Sequence, residues 1–313
     1  MSDITALAID LGGSHAACAV VRESEILAQR SLPANGSEPL ANLLPDLAKA
    51  LRELLASSPI DHCSALVLGF CGIASARENR VLATNGKFED ATGLDLPGWC
   101  QREFGLPFLI ENDARLALLG EHAFGAARGV QDAVMITLGS GIGGSALLDG
   151  RLLQSKHGLA GTIGGHIPVV LGGRRCSCGN FGCAEAEAST SFLSEIYRQQ
   201  AGRSTGELSN RKAIGFAEVF QAADAGDKAA IATLEHCLQV WSALTVALIH
   251  AYDPEVVVFG GSVLKRAADI LPRLQEYVSA HAWTPGRTVS LRAAALGPDA
   301  ALLGAIPLIG SSL

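Results

Sequence analysis

The chain has 313 residues, enough for two domains with separate cores; 49% of them are hydrophobic and 18% charged, a balance that excludes a disordered chain. A formal net charge of −7 argues against nucleic acid or an anionic membrane as partner, and no apolar run approaches the roughly 20 residues that a bilayer span needs. The start, MSDITALAIDLGG, lacks a basic leader, and the cysteines at 18, 63, 71, 100 and 237 are scattered in apolar surroundings as reduced thiols, so a cytoplasmic setting is expected.

Residues Ile4–Asp10 form an apolar strand ending on Asp10. The tight turn Leu11-Gly12-Gly13-Ser14 leads at once into a second apolar run, Ala16–Val21, and then Ile26–Gln29, a meander with no helix between its strands. Leucines at 40, 43, 44, 47, 51 and 55 recur at helical spacing across 39–58. Ala65–Phe70 is a buried strand followed by Cys71-Gly72-Ile73, a loop runs through Thr84-Asn85-Gly86-Lys87, and Gly93–Phe104 reads as helix. Phe108–Ile110 is a strand that ends on Glu111-Asn112-Asp113, ahead of a helix over Ala114–Phe124.

At Val134 the opening pattern returns: Ile9-Asp10-Leu11-Gly12-Gly13 matches Ile136-Thr137-Leu138-Gly139-Ser140, about 127 residues on. This predicts duplicated α/β domains facing each other across a cleft. The segment from Gly139 to Gly144 also satisfies G-x-G-x-x-G. A dinucleotide fingerprint must open a helix, whereas Ser145–Leu148, Asp149-Gly150 and Arg151–Leu153 form a hairpin, so the context fails that test. Either the turn lines up backbone N–H groups against phosphate oxygens or it is a plain tight hairpin.

The stretch Gly158–Glu185 holds His166, Cys176, Cys178 and Cys183 in the pattern H-x9-C-x-C-x4-C. Glycines 179 and 182 let the backbone curl, and zinc takes four N/S ligands in a tetrahedron. With all four positions supplied by protein, the predicted metal is structural rather than catalytic; the alternative is three buried thiols beside an unrelated histidine. Beyond it, Ala184–Gln199, 213–225 and 227–251 read as helices, and the strand Glu255–Phe259 stops at Gly260-Gly261-Ser262. A helix, a strand and a final helix, Asp299–Ile309, close an α/β chain.

Three glycine-flanked strand ends and the polar triplet 111–113 describe a cleft at the carboxyl edge of two sheets, where open α/β sheets bind ligands. Asp113, at the end of an apolar strand, is the general-base candidate, unless it merely caps the helix that follows. Asp10 beside Gly12-Gly13 suits a phosphate–Mg²⁺ site, or else is a solvated turn residue.

Asp10-Leu11-Gly12-Gly13, Glu111-Asn112-Asp113, Leu138 through Gly144, Gly165-His166, Cys176 through Glu185 and Gly260-Gly261 together resemble the ROK family of sugar kinases and repressors, in the expected order and over nearly the whole chain. The resemblance implies two actin-like (ribonuclease-H-like) α/β domains around a central cleft, with a structural zinc loop at 166–183. Its expected boundaries are 1–115 plus about 298–313 for the smaller domain and 116–297 for the larger. It implies that Asp113 takes the proton from the 6-hydroxyl of a hexose, which attacks the γ-phosphoryl of ATP with Mg²⁺ present. Asn112, Asn85, Gly72, Glu185 and His166 would contact the sugar, His166 also serving as a zinc ligand. Asp10, Gly12, Gly13, Ser14, Gly139, Ser140 and Gly141 would cradle phosphates, and Gly260 and Gly261 would flank the adenine.

One departure stands out. Family kinases carry E-x-G-H where this chain has Ile163-Gly164-Gly165-His166, so a glutamate that accepts from the sugar near its anomeric carbon is replaced by Ile163. Either Thr162 or another group compensates, or the preferred sugar differs there. A non-catalytic sugar-binding protein is the alternative, and polyphosphate is a variant phosphate donor. A repressor would need a helix-turn-helix domain ahead of Ala6, where only a few residues stand. The resemblance and the apolar helix 227–251 lean towards a homodimer.

Overall fold

Apolar residues fill β1 (Thr5–Leu11) on both faces, which makes it a central strand. The computed structural model describes residues 4–60, 62–202 and 208–312, which divide into two units, each built on a five-stranded sheet. The first unit takes in residues up to 129 together with 152–162 and 294 onward; the second takes 130–151 and 163–293.

In the first unit β1 pairs antiparallel with β2 (His15–Arg22), which pairs with β3 (Glu25–Pro33). After helix α1 (Leu40–Ser57), β4 (Ala65–Phe70) returns parallel beside β1. A small hairpin of β5 (Ile73–Ser75) and β6 (Arg80–Ala83) and helix α2 (Leu96–Phe104) precede β7 (Phe108–Asn112), which lies parallel to β4. The sheet order is β3-β2-β1-β4-β7. Helix α1 buries Leu40, Leu47 and Leu51 of the periodicity read from sequence in the core of this unit, with Leu43, Leu44 and Leu55 partly buried against it, and buries Leu54 besides. Asp90 caps α1 from a distance, its carboxylate accepting from the N–H groups of Leu40 (2.6 Å) and Ala41 (3.0 Å).

The second unit repeats the scheme. Strand β8 (Ala133–Leu138) pairs antiparallel with β9 (Ile142–Leu148), β10 (Arg151–Leu152) follows, and the sheet order is β10-β9-β8-β11-β12. Strands β11 (Val256–Gly260) and β12 (Ser290–Ala293) run parallel to β8. Its helices are α4 (Ala184–Ala188), α5 (Thr190–Ala201), α6 (Phe216–Asp224), α7 (Lys228–Tyr252) and α8 (Ala267–His281). The two sheets match the actin-like α/β pattern, and the repeat at 9–13 and 136–140 is the central strand and first turn of each.

Three expectations change. The helix read over 184–199 is two, because Ser189 is extended and breaks the run between α4 and α5. The boundary placed at 115/116 falls inside α3 (Asp113–Phe124), which belongs wholly to the first unit. Helix α3 packs there against α9 (Ala300–Leu303) and α10 (Ala305–Ser312), and the buried Glu121 carboxylate accepts from the N–H groups of Ala126, Ala295 and Leu296. Finally, α7 has the length and apolarity of a membrane span by composition alone. Half of its most apolar window is buried, and it packs against α4, α5, α6 and α8 within the second unit, which accounts for that apolarity.

Candidate active site

In the first unit the order β1-β4-β7 brings three strand ends to one edge: Asp10, the Cys71-Gly72 turn and Asn112-Asp113. Asn112 is the residue that caps α3, its Oδ1 accepting from Arg115 N–H at 3.2 Å. Its amide nitrogen lies 2.8 Å from Asp113 Oδ1, 3.1 Å from the Gly72 carbonyl and 3.4 Å from that of Phe70. Asn112 thus has both ends of its amide engaged inside the unit. Asp113 is the first residue of the helix, and its Oδ1 also accepts from Ala114 N–H at 2.8 Å. The cap belongs to Asn112, and the Asp113 carboxylate is oriented by donors on one oxygen.

Burial lifts the Asp113 pKa above the ordinary carboxylate value, while the Ala114 N–H, the Lys87 ammonium and the Asn112 amide each pull it down. Asp10 is pushed up to about 7, first by burial and then by the negative charge of Asp113. The same burial and charges raise the Cys71 thiol to about 12, so it stays protonated.

Next to Asp10, Gly12 donates to the His15 carbonyl at 3.0 Å, so its N–H is engaged in closing the β1–β2 turn. The Gly13 carbonyl accepts from Gly36 N–H at 2.8 Å, and exposed Ser14 lies 3.3 Å from the His15 ring. Lys87, read from sequence only as a loop residue, lays its side chain over Gly13; a Cβ there would stand 2.9 Å from Lys87 Cε. Asn85 is exposed on the same loop.

Behind the edge, Glu111 and Arg115 form a buried ion pair at 2.9 Å. Arg115 Nη1 donates to the carbonyls of Leu153 (2.7 Å) and Ala160 (3.2 Å), fastening segment 152–162 onto the unit. Thr162 in that segment is buried, its hydroxyl donating to the Gly158 carbonyl at 3.2 Å. It supplies no carboxylate in place of the glutamate, and Ile163, which follows, is 40% exposed.

In the second unit the parallel pairing of β8 and β11 places Gly139–Gly141 beside Gly260–Gly261. Gly261 sits at φ +93, and any side chain there would run into the Leu138 carbonyl, so only glycine fits the crossing. The first turn is braced from α5: Thr190 N–H donates to the Gly139 carbonyl (3.0 Å), and the Ser191 hydroxyl donates to that of Ser140 (2.6 Å). Glu185 Oε2 accepts from Ile142 N–H at 3.0 Å, an approach that the bare Gly141 permits.

His166, Cys176, Cys178 and Cys183 present ligand atoms all within 4.8 Å of one another. His166 Nδ1 is 3.5 Å from Cys176 Sγ, and the sulfurs of Cys178 and Cys183 are 3.7 Å apart. One imidazole and three thiols at such spacing suit a single tetrahedral metal ion. The backbone holds them there: Cys176 N–H donates to the Asn180 carbonyl (2.8 Å), and Val169 N–H to that of Gly182 (2.8 Å). Gly164 and Gly165 let the His166 segment press onto β9, where a Cβ on Gly165 would meet the Ile142 carbonyl.

A cavity of about 370 Å³ lies between α6, α7 and the start of α8. Phe220, Leu234, Leu238 and Trp241 line it, and Arg266, paired with Asp224 at 2.8 Å, stands at its side.

The ROK family pattern matches residues 6–311. A glucokinase of Thermotoga maritima is 30% identical, covering 99% of this chain and 98% of the relative. An N-acetylmannosamine kinase of Citrobacter koseri is 33% identical over 96% and 97% of the two chains. Among solved structures, a ROK family glucokinase from Streptomyces griseus in complex with glucose and AMPPNP superposes with a TM-score of 0.79 at 27% identity, covering 97% of this chain and 98% of that one.

Proposed function

Because the chain belongs to the ROK family, we propose that it is an ATP-dependent sugar kinase that phosphorylates a hexose on its 6-hydroxyl, with Asp113 as general base. The observation that carries this reading is Asp113 itself. Its carboxylate stands at the carboxyl end of β7, held on Oδ1 by Asn112 and Ala114, with burial lifting its pKa. A carboxylate so raised is a better proton acceptor near neutral pH than an ordinary one.

Asp113 removes the hydroxyl proton as the sugar oxygen bonds to the γ-phosphorus, and the bond to the bridging oxygen breaks with its electron pair leaving on ADP. Positioning and charge stabilisation supply most of the rate in such a transfer. Asp10 would hold Mg²⁺, which when bound neutralises charge on the phosphates. Gly12 and Gly139 use their own N–H groups within their turns, so the N–H groups of Gly13, Ser14, Ser140 and Gly141 would be the ones presented to the phosphates. Gly260 and Gly261 would flank the adenine, and the cavity lined by Phe220, Leu234, Leu238, Trp241 and Arg266 in the same unit is where its ring would lie.

His166, Cys176, Cys178 and Cys183 would hold a structural Zn²⁺, and Glu185, two residues after the last cysteine, would accept from a sugar hydroxyl. Asn85 and the Gly72 turn would face the sugar, whereas Asn112 acts mainly through its hold on Asp113. Ile163 cannot accept a hydrogen bond, so the preferred hexose need not be glucose. The 33% identical N-acetylmannosamine kinase makes 2-acetamido sugars part of the test.

The test is a coupled ADP-release assay with ATP and Mg²⁺ against glucose, mannose, allose, N-acetylglucosamine, N-acetylmannosamine and fructose. Turnover of one sugar is expected, with kcat lowered about 10²–10⁴-fold in Asp113→Asn. Silence with ATP and with polyphosphate, alongside measurable sugar binding, would leave the non-catalytic reading in its place.

A further inference from the structure

The loop that carries Lys87 is fixed on both sides. Phe88, 1% exposed, packs near Phe70 with ring centroids 6.5 Å apart, and its N–H donates to the Gly36 carbonyl at 2.6 Å. Gly36 in turn donates to Gly13. The Lys87 stem crosses these two glycines. Its Cβ and Cγ lie 3.2 and 3.1 Å from where a Gly36 side chain would begin, and its Cδ and Cε lie 3.0 and 2.9 Å from the same point on Gly13. The ammonium nitrogen is 3.3 Å from that point, at the turn that follows Asp10.

Among the described residues no carboxylate lies within the 4.0 Å of an ion pair with this ammonium. Asp10, Asp113 and Cys71 share the edge, and Lys87 acts on Asp113 and Cys71 only through its longer-range field. A half-buried cation, held by two glycines and given no protein counter-ion, is suited to an anion that arrives from outside.

We propose that Lys87 is a catalytic residue whose ammonium contacts the γ-phosphoryl group as it transfers. This rests on the kinase reading above. In the step the sugar oxygen bonds to phosphorus, its proton passes to Asp113, and the phosphorus–oxygen bond to ADP breaks with its electron pair. Lys87 keeps its proton throughout and offsets the charge on the three equatorial oxygens.

Lys87→Met keeps an unbranched stem for the crossing of Gly13 and Gly36, and Lys87→Arg keeps the charge. Both are compared with wild type for kcat, for KM of sugar and ATP, and for Tm. The expected result is a kcat about 10²–10³-fold lower in Lys87→Met. The sugar KM should stay within about threefold, Tm should stay close to wild type, and Lys87→Arg should recover at least about tenfold of the loss. A Lys87→Met enzyme whose kcat stays within about threefold of wild type overturns the assignment. A wild-type chain silent on every sugar and donor sinks the kinase reading instead, and this proposal with it.

Discussion

Asp10, near the end of β1, and Asp113, just past the end of β7, lie on either side of β4, and the negative charge of Asp113 adds to burial in making Asp10 harder to ionise. The effect has a sign that can be checked in stability. The folded-state pKa of Asp10 is about 7 against an ordinary 3.8, so between those values the folded chain binds a proton that the unfolded chain has released. Stability from this group is therefore greatest below pH 4 and is lost as pH rises to about 7. At 1.36 kcal/mol per pKa unit the cost above pH 7 is on the order of 4 kcal/mol at most. Asp10→Asn removes the ionisation, so it should raise Tm by several degrees at pH 8 and much less at pH 4, while activity is lost. Thermal melts at the two pH values decide the matter: an Asp10→Asn protein less stable than wild type at pH 8 would show that the buried charge carries no such penalty. Greater stability at the expense of activity is a common result of changing a functional carboxylate.

At the scale of elements, the loop of His166 and the three cysteines shows what sequence can and cannot specify. The spacing of His166, Cys176, Cys178 and Cys183 was legible because ligand geometry tolerates few spacings, and the structure brings the four together. The tie from the loop to the turn at 139–142, through Glu185 and Ile142 N–H, was not legible, because it joins residues far apart in the chain. The same limit hid Lys87, whose meaning lies in Gly13 and Gly36, and hid the break at Ser189, where local helix pattern gives no warning. The role of Asp113 stayed open in sequence, general base or helix cap, and the hydrogen bonds resolve it by giving the cap to Asn112, which was read only as a sugar contact. The tie through Glu185 carries a prediction. Purified protein should hold about one zinc per chain, and Cys178→Ser should lose it, lower Tm and reduce kcat together, because the loop supports the turn at 139–142. Metal analysis, melting and turnover on one preparation suffice, and a zinc-free protein with unchanged Tm and kcat would rule out the structural assignment.

Across the whole molecule, two sheets of the same order account for why so short a repeat, residues 9–13 against 136–140, was informative: it marks the same strand and turn in each unit. The unit boundaries were less legible, because the first unit gathers three separate stretches of chain and the buried Arg115 that fastens 152–162 to it reads, in sequence, as an ordinary helix residue. A ligand that binds only the folded chain stabilises it by RT ln(1 + [L]/Kd), about 2.7 kcal/mol at a hundred times Kd. The sugar that this chain phosphorylates should therefore raise Tm without any turnover, and in Asp113→Asn it should still do so, since that substitution leaves hydroxyl contacts elsewhere in place. A melting panel of the six sugars on Asp113→Asn, with and without a non-hydrolysable nucleotide, separates recognition from chemistry. One sugar should stand out, and if Ile163 sets selectivity near the anomeric carbon, Ile163→Glu should shift the preference towards glucose. A uniform response across the panel, unchanged by Ile163→Glu, would mean that selectivity is set elsewhere in the chain.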